Sequence, residues 1–289
     1  MGKLDRLDVN AYTGKFDVQY STASPTCLLD IYLPQSHDKP YPVIVSIHGG
    51  AFKKCDKRDK EMIEPMLLGL DLGYAVVGVN YRLSGEAQFP EPLKDIKQAL
   101  RFIHDNAHNY NFDPTNIVVW GGSAGGYFSL MSGCITDDPY FDESFSSSTR
   151  PSISGIVSWF PPISFELMDH DLKELGLLEK SPDHSADNSP ESLFLGEPVL
   201  KSTDKLARSN PINYINESLP PMLIQHGSVD RVVPYKQSER FVKATDTFGF
   251  AQGHITYQVL ENANHGDIAF EQPDNLEVVY DFIARCFNR

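Results

Sequence analysis

Residues 117–126 read IVVWGGSAGG, an apolar run that leads into a glycine-rich turn. Its first four residues are β-branched or aromatic and carry no charge, which predicts a buried strand. The Gly-x-Ser-x-Gly turn that follows leads into a predicted helix at residues 127–133, so Ser123 lies near the amides and the positive dipole end of that helix. Gly121 and Gly125 leave room for a strained backbone. The stretch alone therefore indicates either a nucleophilic serine or a glycine-rich turn without chemistry.

Strand-like apolar runs alternate with amphipathic segments of helical length on both sides of this turn. The alternation is typical of an α/β fold with a mostly parallel central sheet that is flanked by helices on both faces. An earlier run at residues 28–33 predicts an additional antiparallel strand. The other predicted strands are residues 43–48, 74–81, 117–120, 153–160, 222–226 and 255–260, and the predicted helices are residues 59–72, 91–108 and 275–286, with a turn at residues 111–115.

The chain of 289 residues, 41% of them hydrophobic and 22% charged, contains enough apolar material for one large core. We predict a single domain that spans residues 1–289, because α/β folds of this size commonly form one unit. Residues 163–219 differ from the rest, since they are rich in Ser, Pro, Asp and Asn. An unstructured connection of that length is uncommon inside a compact domain, so we expect short helices there, for example within residues 165–178. We interpret the segment as an insertion that forms a cap or lid, with a plain surface excursion as the alternative.

The formal charge of −14 argues against partners such as nucleic acid or an anionic membrane surface. Residues 114–136 are uncharged over a length that could cross a bilayer, but their glycines and polar side chains exclude a membrane helix. The first six residues contain no apolar run, so they do not form a secretory signal. Four cysteines without C-x-x-C spacing indicate reduced thiols. We therefore expect a cytoplasmic location, although a secreted protein whose signal had been removed would look the same.

A serine hydroxyl is a poor nucleophile at neutral pH and needs a base, which in turn needs an acid to orient it. The strand predicted at residues 222–226 is followed by a loop that contains Asp230. The strand predicted at residues 255–260 is followed by a loop that contains His265. We therefore predict Ser123, Asp230 and His265 as catalytic residues.

The sequence HGGAF at residues 48–52 follows the strand predicted at residues 43–48. Closely spaced glycines there let backbone amides turn inward, and with the amide of Ala124 they could hold the oxygen of a tetrahedral intermediate. We predict Gly50 as the first donor of this oxyanion hole, with Ala51 as the next choice.

Several other residues compete for these roles. His226 could be mistaken for the base, but it ends a strand. Asp267 could be the acid, but it would need an awkward turn to reach the far imidazole nitrogen of its near neighbour. Ser129 is better explained as a packed helix residue, and His48 as a structural residue that supports the oxyanion loop.

His104 and His108 have the spacing of a zinc site on a helix, but no glutamate occupies the second position and no third ligand is suggested. We therefore expect no metal and no cofactor.

The chain resembles the α/β-hydrolase superfamily, in particular the carboxylesterases related to the hormone-sensitive-lipase group and their acetyl-xylan or feruloyl esterase-like branch. The resemblance covers about residues 25–287. It rests on LDIYLP (29–34), HGGAF (48–52), NYRL (80–83), FP (89–90) with Asp95, and GGSAGG (121–126), and on the chain order Ser, Asp, His. Ala51 stands where the family's usual motif has a third glycine.

The resemblance implies a serine carboxylic ester hydrolase that acts through an acyl-enzyme on a small-molecule ester, with short acyl groups such as acetyl or feruloyl decorations of plant polysaccharide. An amidase such as an arylformamidase is the alternative, although those enzymes carry a tryptophan where this chain has Phe52. A non-catalytic hydrolase-fold binding protein is a further alternative. The last strand of such a sheet can pair across a dimer, so a homo-oligomer is also allowed.

Overall fold

A computed structural model describes residues 5–35, 40–135, 138–142 and 151–287. Within these ranges an eight-stranded sheet has the order β1-β2-β4-β3-β5-β6-β7-β8. The strands β3 to β8 run parallel to one another, whereas β2 is antiparallel to both β1 and β4. This topology confirms the predicted α/β fold class. The strands are β1 (Gly14–Gln19), β2 (Leu28–Tyr32), β3 (Tyr41–Ile47), β4 (Ala75–Val79), β5 (Phe112–Gly122), β6 (Gly155–Trp159), β7 (Met222–Gly227) and β8 (Ile255–Leu260).

Helices cover both faces of the sheet. On one face α2 and α4 pack against strand residues such as Val43 and Val45, and on the other face α1 and α9 pack against Ile44 and Trp120. The central strands are buried on both sides for this reason, and their sequences therefore read as continuous apolar runs. The helices are α1 (Lys60–Leu67), α2 (Glu91–Asp105), α3 (Ala107–Tyr110), α4 (Ala124–Cys134), α5 (Met168–Glu174), α6 (Pro190–Leu195), α7 (Asp204–Ser209), α8 (Lys236–Thr245) and α9 (Pro273–Phe287).

Three local expectations differ from the structure. The strand β5 begins at Phe112, so most of the predicted turn at residues 111–115 belongs to this strand. The pairing of β5 with β3 shifts register between Tyr41 and Val43 of β3. The helix predicted at residues 91–108 is interrupted at Asn106, whose side chain donates to the carbonyl of Phe102 and competes with the helical hydrogen bonds. The helix predicted at residues 59–72 ends its α-helical part at Leu67 and continues as a 3₁₀ helix.

Residues 163–219 connect β6 to β7 and contain α5, α6, α7 and several 3₁₀ turns. The amides of Ile163 and Ser164 donate to the side chain of Gln237 in α8, at 2.9 and 2.7 Å. Asp171 of α5 forms an ion pair with Arg240, which also lies in α8. This segment is therefore attached to the main body by polar contacts, and the division of residues 1–289 into one domain with an insertion stays a prediction. None of the helices in the described ranges is both long and apolar enough to span a bilayer.

Candidate active site

Ser123 lies at the sharp turn between β5 and α4, at the carboxyl end of the sheet. Its φ of 58° and ψ of −124° are unusual for a residue with a side chain, and such strain persists only where the surroundings enforce it. The amide of Ser123 donates to the carbonyl of Trp159 at 2.9 Å. A Cβ at Gly121 would come within 2.4 Å of the carbonyl oxygen of Gly125. The turn thus requires glycine at this position and holds the serine in one orientation.

The loops after β7 and β8 bring Asp230 and His265 to Ser123. The Oγ of Ser123 lies 2.9 Å from Nε2 of His265, and Nδ1 of His265 lies 2.8 Å from Oδ2 of Asp230. A carboxylate only accepts hydrogen bonds, so Nδ1 carries the imidazole proton and Nε2 is left to accept the proton of the serine hydroxyl. The three predicted catalytic residues therefore form one continuous chain of hydrogen bonds.

Asp230 is fully buried, and its two oxygens have separate partners. Oδ1 accepts the amides of Val232 and Val233, both at 2.8 Å, while Oδ2 accepts His265. Burial by itself would raise the pKa of this carboxyl, but the contacts with the two histidines His265 and His226 outweigh it and hold the pKa well below its usual range. Asp230 is therefore an anion throughout the neutral pH range.

His265 packs edge-on against the ring of Phe160, with 4.6 Å between the ring centroids. Phe160 directly follows β6 and has a φ of 39°, and its amide donates to the carbonyl of Gln225. Only 17% of the histidine side chain is exposed, so the ring is fixed from one side by Phe160 and from its Nδ1 by Asp230. The sequence alone gave no signal for this role of Phe160.

The loop at residues 48–52 follows β3 and lies beside the nucleophile turn. Two carbonyl groups of this loop accept hydrogen bonds from residues outside it. The hydroxyl of Tyr81 donates to the carbonyl of His48 at 2.9 Å, and the amide of Ser84 donates to the carbonyl of Phe52 at 2.8 Å. Within the described part of the chain the amides of Gly50 and Ala51 donate to no protein acceptor. Ala124 is the first residue of α4, where an amide has no acceptor within the helix. All three predicted oxyanion donors are thus available to a ligand.

His48 itself is buried and stacks on the ring of Tyr81, with 4.4 Å between centroids. Its Nδ1 lies 2.8 Å from the carbonyl oxygen of Gly49. Burial lowers the pKa of His48 and favours the neutral ring. These contacts agree with a structural role in the loop. Tyr81 belongs to the quoted NYRL stretch, but no pattern in the sequence predicts that it supports the loop.

The competing residues lie outside the hydrogen-bonded chain. Both ring nitrogens of His226 are engaged, by Ser238 at 2.7 Å and the carbonyl of Val233 at 2.8 Å. His226 therefore braces the loop of Asp230, from whose Oδ2 its Nε2 lies 3.4 Å away. Asp267 accepts the amide of Ala269 at 3.0 Å and so caps the 3₁₀ turn after His265.

The remaining candidates also have local roles. Ser129 is fully buried and donates to the carbonyl of Gly125. His104 contacts only its neighbour Asp105 among the polar contacts described for it. His170, Asp171 and Glu174 are close enough together to be considered as metal ligands, but Asp171 already pairs with Arg240. Glu174 pairs with Lys236.

This arrangement is suited to nucleophilic attack on a carbonyl carbon. A base within hydrogen-bond reach of a hydroxyl can remove its proton, and a buried carboxylate stabilises the cation that results. Free amides beside the nucleophile can stabilise the negative oxygen that develops in the tetrahedral intermediate.

Comparisons with known proteins agree with this geometry. A solved structure described as a truncated form of a carbohydrate esterase from gut microbiota superimposes with a TM-score of 0.85, at 26% identity, over 99% of this chain and 100% of that chain. A bifunctional GH43-CE protein from Bacteroides eggerthii matches with a TM-score of 0.78 and 29% identity, over 94% of this chain and 35% of that chain.

Curated relatives include esterase LipQ of Mycobacterium tuberculosis, which is 26% identical over 94% of this chain and 62% of its own length. The probable carboxylic ester hydrolase LipM of the same organism is 27% identical over 80% of this chain and 51% of its own length. The chain thus spans between half and two thirds of the length of these relatives.

A family model described as BD-FAE matches residues 29–245, a range that contains the nucleophile turn, the oxyanion loop and Asp230. The match covers most of the chain, and the resemblance to α/β-hydrolase esterases found in the sequence is thereby confirmed. This protein belongs to the BD-FAE family.

Proposed function

We propose that this protein is a serine carboxylic ester hydrolase that cleaves small, short-chain acyl esters through an acyl-enzyme. The observation that carries the proposal is the hydrogen-bonded chain from Ser123 through His265 to Asp230, at 2.9 and 2.8 Å. The similarity to named esterases supports the same reaction class.

In the first half-reaction Ser123 attacks the ester carbonyl carbon while Nε2 of His265 takes the hydroxyl proton. Asp230 keeps the histidine in the required tautomer and stabilises the imidazolium. The amides of Gly50 or Ala51 and of Ala124 hold the oxyanion. The imidazolium then donates its proton to the leaving alcohol, and the carbonyl re-forms as an acyl-serine.

In the second half-reaction a water molecule takes the place of the alcohol. His265 removes a proton from this water, the acyl carbon again becomes tetrahedral, and collapse returns the proton to Ser123 and releases the carboxylic acid. Every proton moves through the same imidazole, so the residues proposed here complete the cycle without a cofactor or metal.

A small cavity lies beside the proposed site. Its volume is about 80 Å³, and it is bordered by Gly122 and Gly266, the chain neighbours of Ser123 and His265. Met62, Phe160 and Phe270 are among its lining residues. Ser123 and His265 are not among its lining residues, so this cavity does not set the length of the acyl group, and the preference for short groups rests on the resemblance of the sequence.

We extend the proposal to acetyl or feruloyl esters of plant polysaccharide, because the similar solved proteins are described as a carbohydrate esterase and a bifunctional GH43-CE protein. The amidase alternative and the non-catalytic alternative have no comparable support among the relatives. A cytoplasmic location, a homo-oligomer and a surface unsuited to nucleic acid rest on the sequence arguments alone.

The test is hydrolysis of p-nitrophenyl esters from acetate to decanoate by the wild type, Ser123→Ala and Ser129→Ala. We expect kcat/KM to be highest for acetate and to fall by at least about 10⁴-fold in Ser123→Ala, because the nucleophile is lost. Ser129→Ala removes a buried hydroxyl from the same helix and should stay within about threefold of the wild type.

Release of acetate from acetylated xylo-oligosaccharides is then compared with hydrolysis of formylated amides. This comparison distinguishes a carbohydrate esterase from an amidase. A folded wild type that cleaves none of the esters would overturn the proposed function.

A further inference from the structure

A cluster of buried aromatic rings joins the oxyanion loop to the segment between β6 and β7. It consists of Phe52 from the loop, Tyr127 and Phe128 from α4, and Phe165 and Phe194 from the segment. All five side chains are at most 2% exposed. We call these five residues the aromatic cluster.

Phe194 of α6 lies face to face with Phe52. The ring centroids are 4.3 Å apart and the planes differ by 18°. The rings of Tyr127 and Phe128 meet Phe52 edge-on, each at 5.6 Å and 89°. The ring of Phe52 is therefore held on one face by the segment and on its edges by the helix that begins at the nucleophile turn.

The backbone that carries Phe52 adopts an unfavourable conformation. Gly50, Ala51 and Phe52 are consecutive and have φ values of 106°, 54° and 61°. The left-handed region is costly for residues with a side chain, so it persists only where surrounding contacts fix it. The carbonyl of Phe52 is held by Ser84, but the amides of Gly50 and Ala51 have no protein acceptor among the described residues. The carbonyls of the same two peptide groups are held, that of Gly49 by Nδ1 of His48 at 2.8 Å and that of Gly50 by the amides of Lys53 and Lys54 at 3.1 Å. Packing around Phe52 adds to these contacts by fixing the last residue of the left-handed run.

Phe194 is itself firmly anchored. Its carbonyl accepts the amide of Phe89 at 2.8 Å, and the side chain of Ser189 caps the start of α6 by accepting the amide of Ser192 at 3.0 Å. The ring also touches Phe89 edge-on at 5.8 Å. The position of this ring is therefore set by the main body of the protein as well as by its own helix.

We propose that Phe194 is a positioning residue for the oxyanion hole: its ring, stacked on Phe52, holds the loop in the conformation that points the amides of Gly50 and Ala51 at the reacting oxygen. The proposal rests on the proposed function. It gives the segment between β6 and β7 a role in transition-state stabilisation and not only in covering the site. Phe194 is fully buried, so it acts through Phe52 and does not contact the substrate.

The test compares Phe194→Leu with Phe241→Leu, which removes an equally buried ring from α8, a helix that contributes no ring to the aromatic cluster. Two quantities are measured for each folded variant: kcat and KM for p-nitrophenyl acetate, and the inhibition constant of a trifluoromethyl ketone. The ketone forms a tetrahedral adduct with Ser123 whose oxyanion needs the same amide donors.

We expect Phe194→Leu to lower kcat by about 10- to 100-fold, less than the loss of a whole oxyanion donor, and to leave KM within about twofold. The inhibition constant should rise by the same factor as kcat falls. Phe241→Leu should leave kcat, KM and the inhibition constant within about threefold.

Phe194→Met fills more of the space and takes the place of the leucine variant if that variant does not fold. The inference is overturned if Phe194→Leu behaves like Phe241→Leu, if only KM changes, or if neither variant of Phe194 folds, since the ring would then serve folding alone. An inactive wild type would instead overturn the proposed function, so the two failures are distinguishable.

Discussion

Gly125 lies so close to Ile47 that a Cβ on the glycine would be 2.0 Å from the carbonyl oxygen of Ile47. Ile47 is the last residue of β3 and Gly125 is the second residue of α4. This approach brings the amide end of α4 against the start of the oxyanion loop. The proposed nucleophile and the proposed oxyanion donors are therefore placed relative to each other by contact between backbones.

Replacing Gly125 with alanine should consequently be severe. A Cβ in this position forces the backbones apart, and we expect a loss of about 3 kcal/mol or more in the free energy of unfolding, together with loss of esterase activity. Gly85→Ala is the matched control, because a Cβ there meets nothing within 4 Å. Thermal unfolding checks both variants, and equal melting temperatures would contradict the argument.

Asp230→Asn should lower kcat by about 10³- to 10⁴-fold, since an amide in place of the carboxylate no longer fixes the histidine tautomer or stabilises the imidazolium. Because the pKa of Asp230 is held below its usual range, the wild type should show no loss of activity from protonation of this group between pH 5 and 8. Asp267→Asn, which alters the cap of a 3₁₀ turn and a 3.3 Å contact with the amide of Asn264, should retain kcat within about fivefold. Steady-state kinetics of both variants decides between the two acids, and a larger loss in Asp267→Asn would reverse the assignment.

Asp171→Ala should weaken the attachment of the segment between β6 and β7. The carboxylate is buried and accepts two hydrogen bonds from Arg240 at 2.8 Å and one from Gln237 at 2.7 Å. We expect a loss of about 2–3 kcal/mol in unfolding free energy. The loss should be smaller than for a fully buried ion pair, because the side chain of Arg240 is partly exposed and can be solvated once Asp171 is removed. Denaturant unfolding measures the difference, with the exposed Asp187→Ala as the control. A change no larger than in the control would refute the attachment.

The His184–Glu191 pair should make stability depend on pH. Nδ1 of His184 lies 3.0 Å from Oε1 of Glu191, an ion pair without an aligned hydrogen bond, and both side chains are buried. Burial alone would lower the pKa of His184, but the contact with Glu191 and its charge raise it overall. A raised pKa in the folded state stabilises the protein at pH values below the unfolded histidine pKa, and this contribution is lost as the pH rises through the folded pKa.

Glu191→Gln should therefore destabilise the protein most near pH 6 and least near pH 9. Unfolding free energies of the wild type and the variant at both pH values test this. The exposed Glu217→Gln serves as the control and should show no such trend. A difference between wild type and Glu191→Gln that is constant or grows toward pH 9 would contradict the role of the pair.

The sequence predicts the central strands well because both of their faces are buried. Val43 and Ile44 point to opposite faces, yet both are fully buried, and this produces the uninterrupted apolar runs. The strand β1 was not predicted, because its residues are half-exposed and exposed in alternation and Asp17 interrupts it with a φ of 53°. The helix α8 was also missed, since it presents mostly polar residues around a few buried ones such as Phe241.

The predicted site residues follow from topology, since parallel strands bring their carboxyl ends to one edge of the sheet. Residues that come directly after strands, such as Asp230 and His265, can therefore be assigned from sequence. Contacts between residues far apart in the chain cannot. Neither the stacking of Phe194 on Phe52 nor the packing of Phe160 on His265 leaves a periodic or local signal.

Among the described residues, β8 lies at one edge of the sheet and pairs with β7, and His265 comes after it. During synthesis on the ribosome, Ser123 and its glycine turn emerge long before the residues that form this edge. The residues up to the end of β7 thus contain Ser123 without the base proposed for it. Under the proposed function, the chain becomes chemically competent only when β8 has paired with β7 and brought His265 to Ser123, so the appearance of esterase activity would report formation of this edge of the sheet.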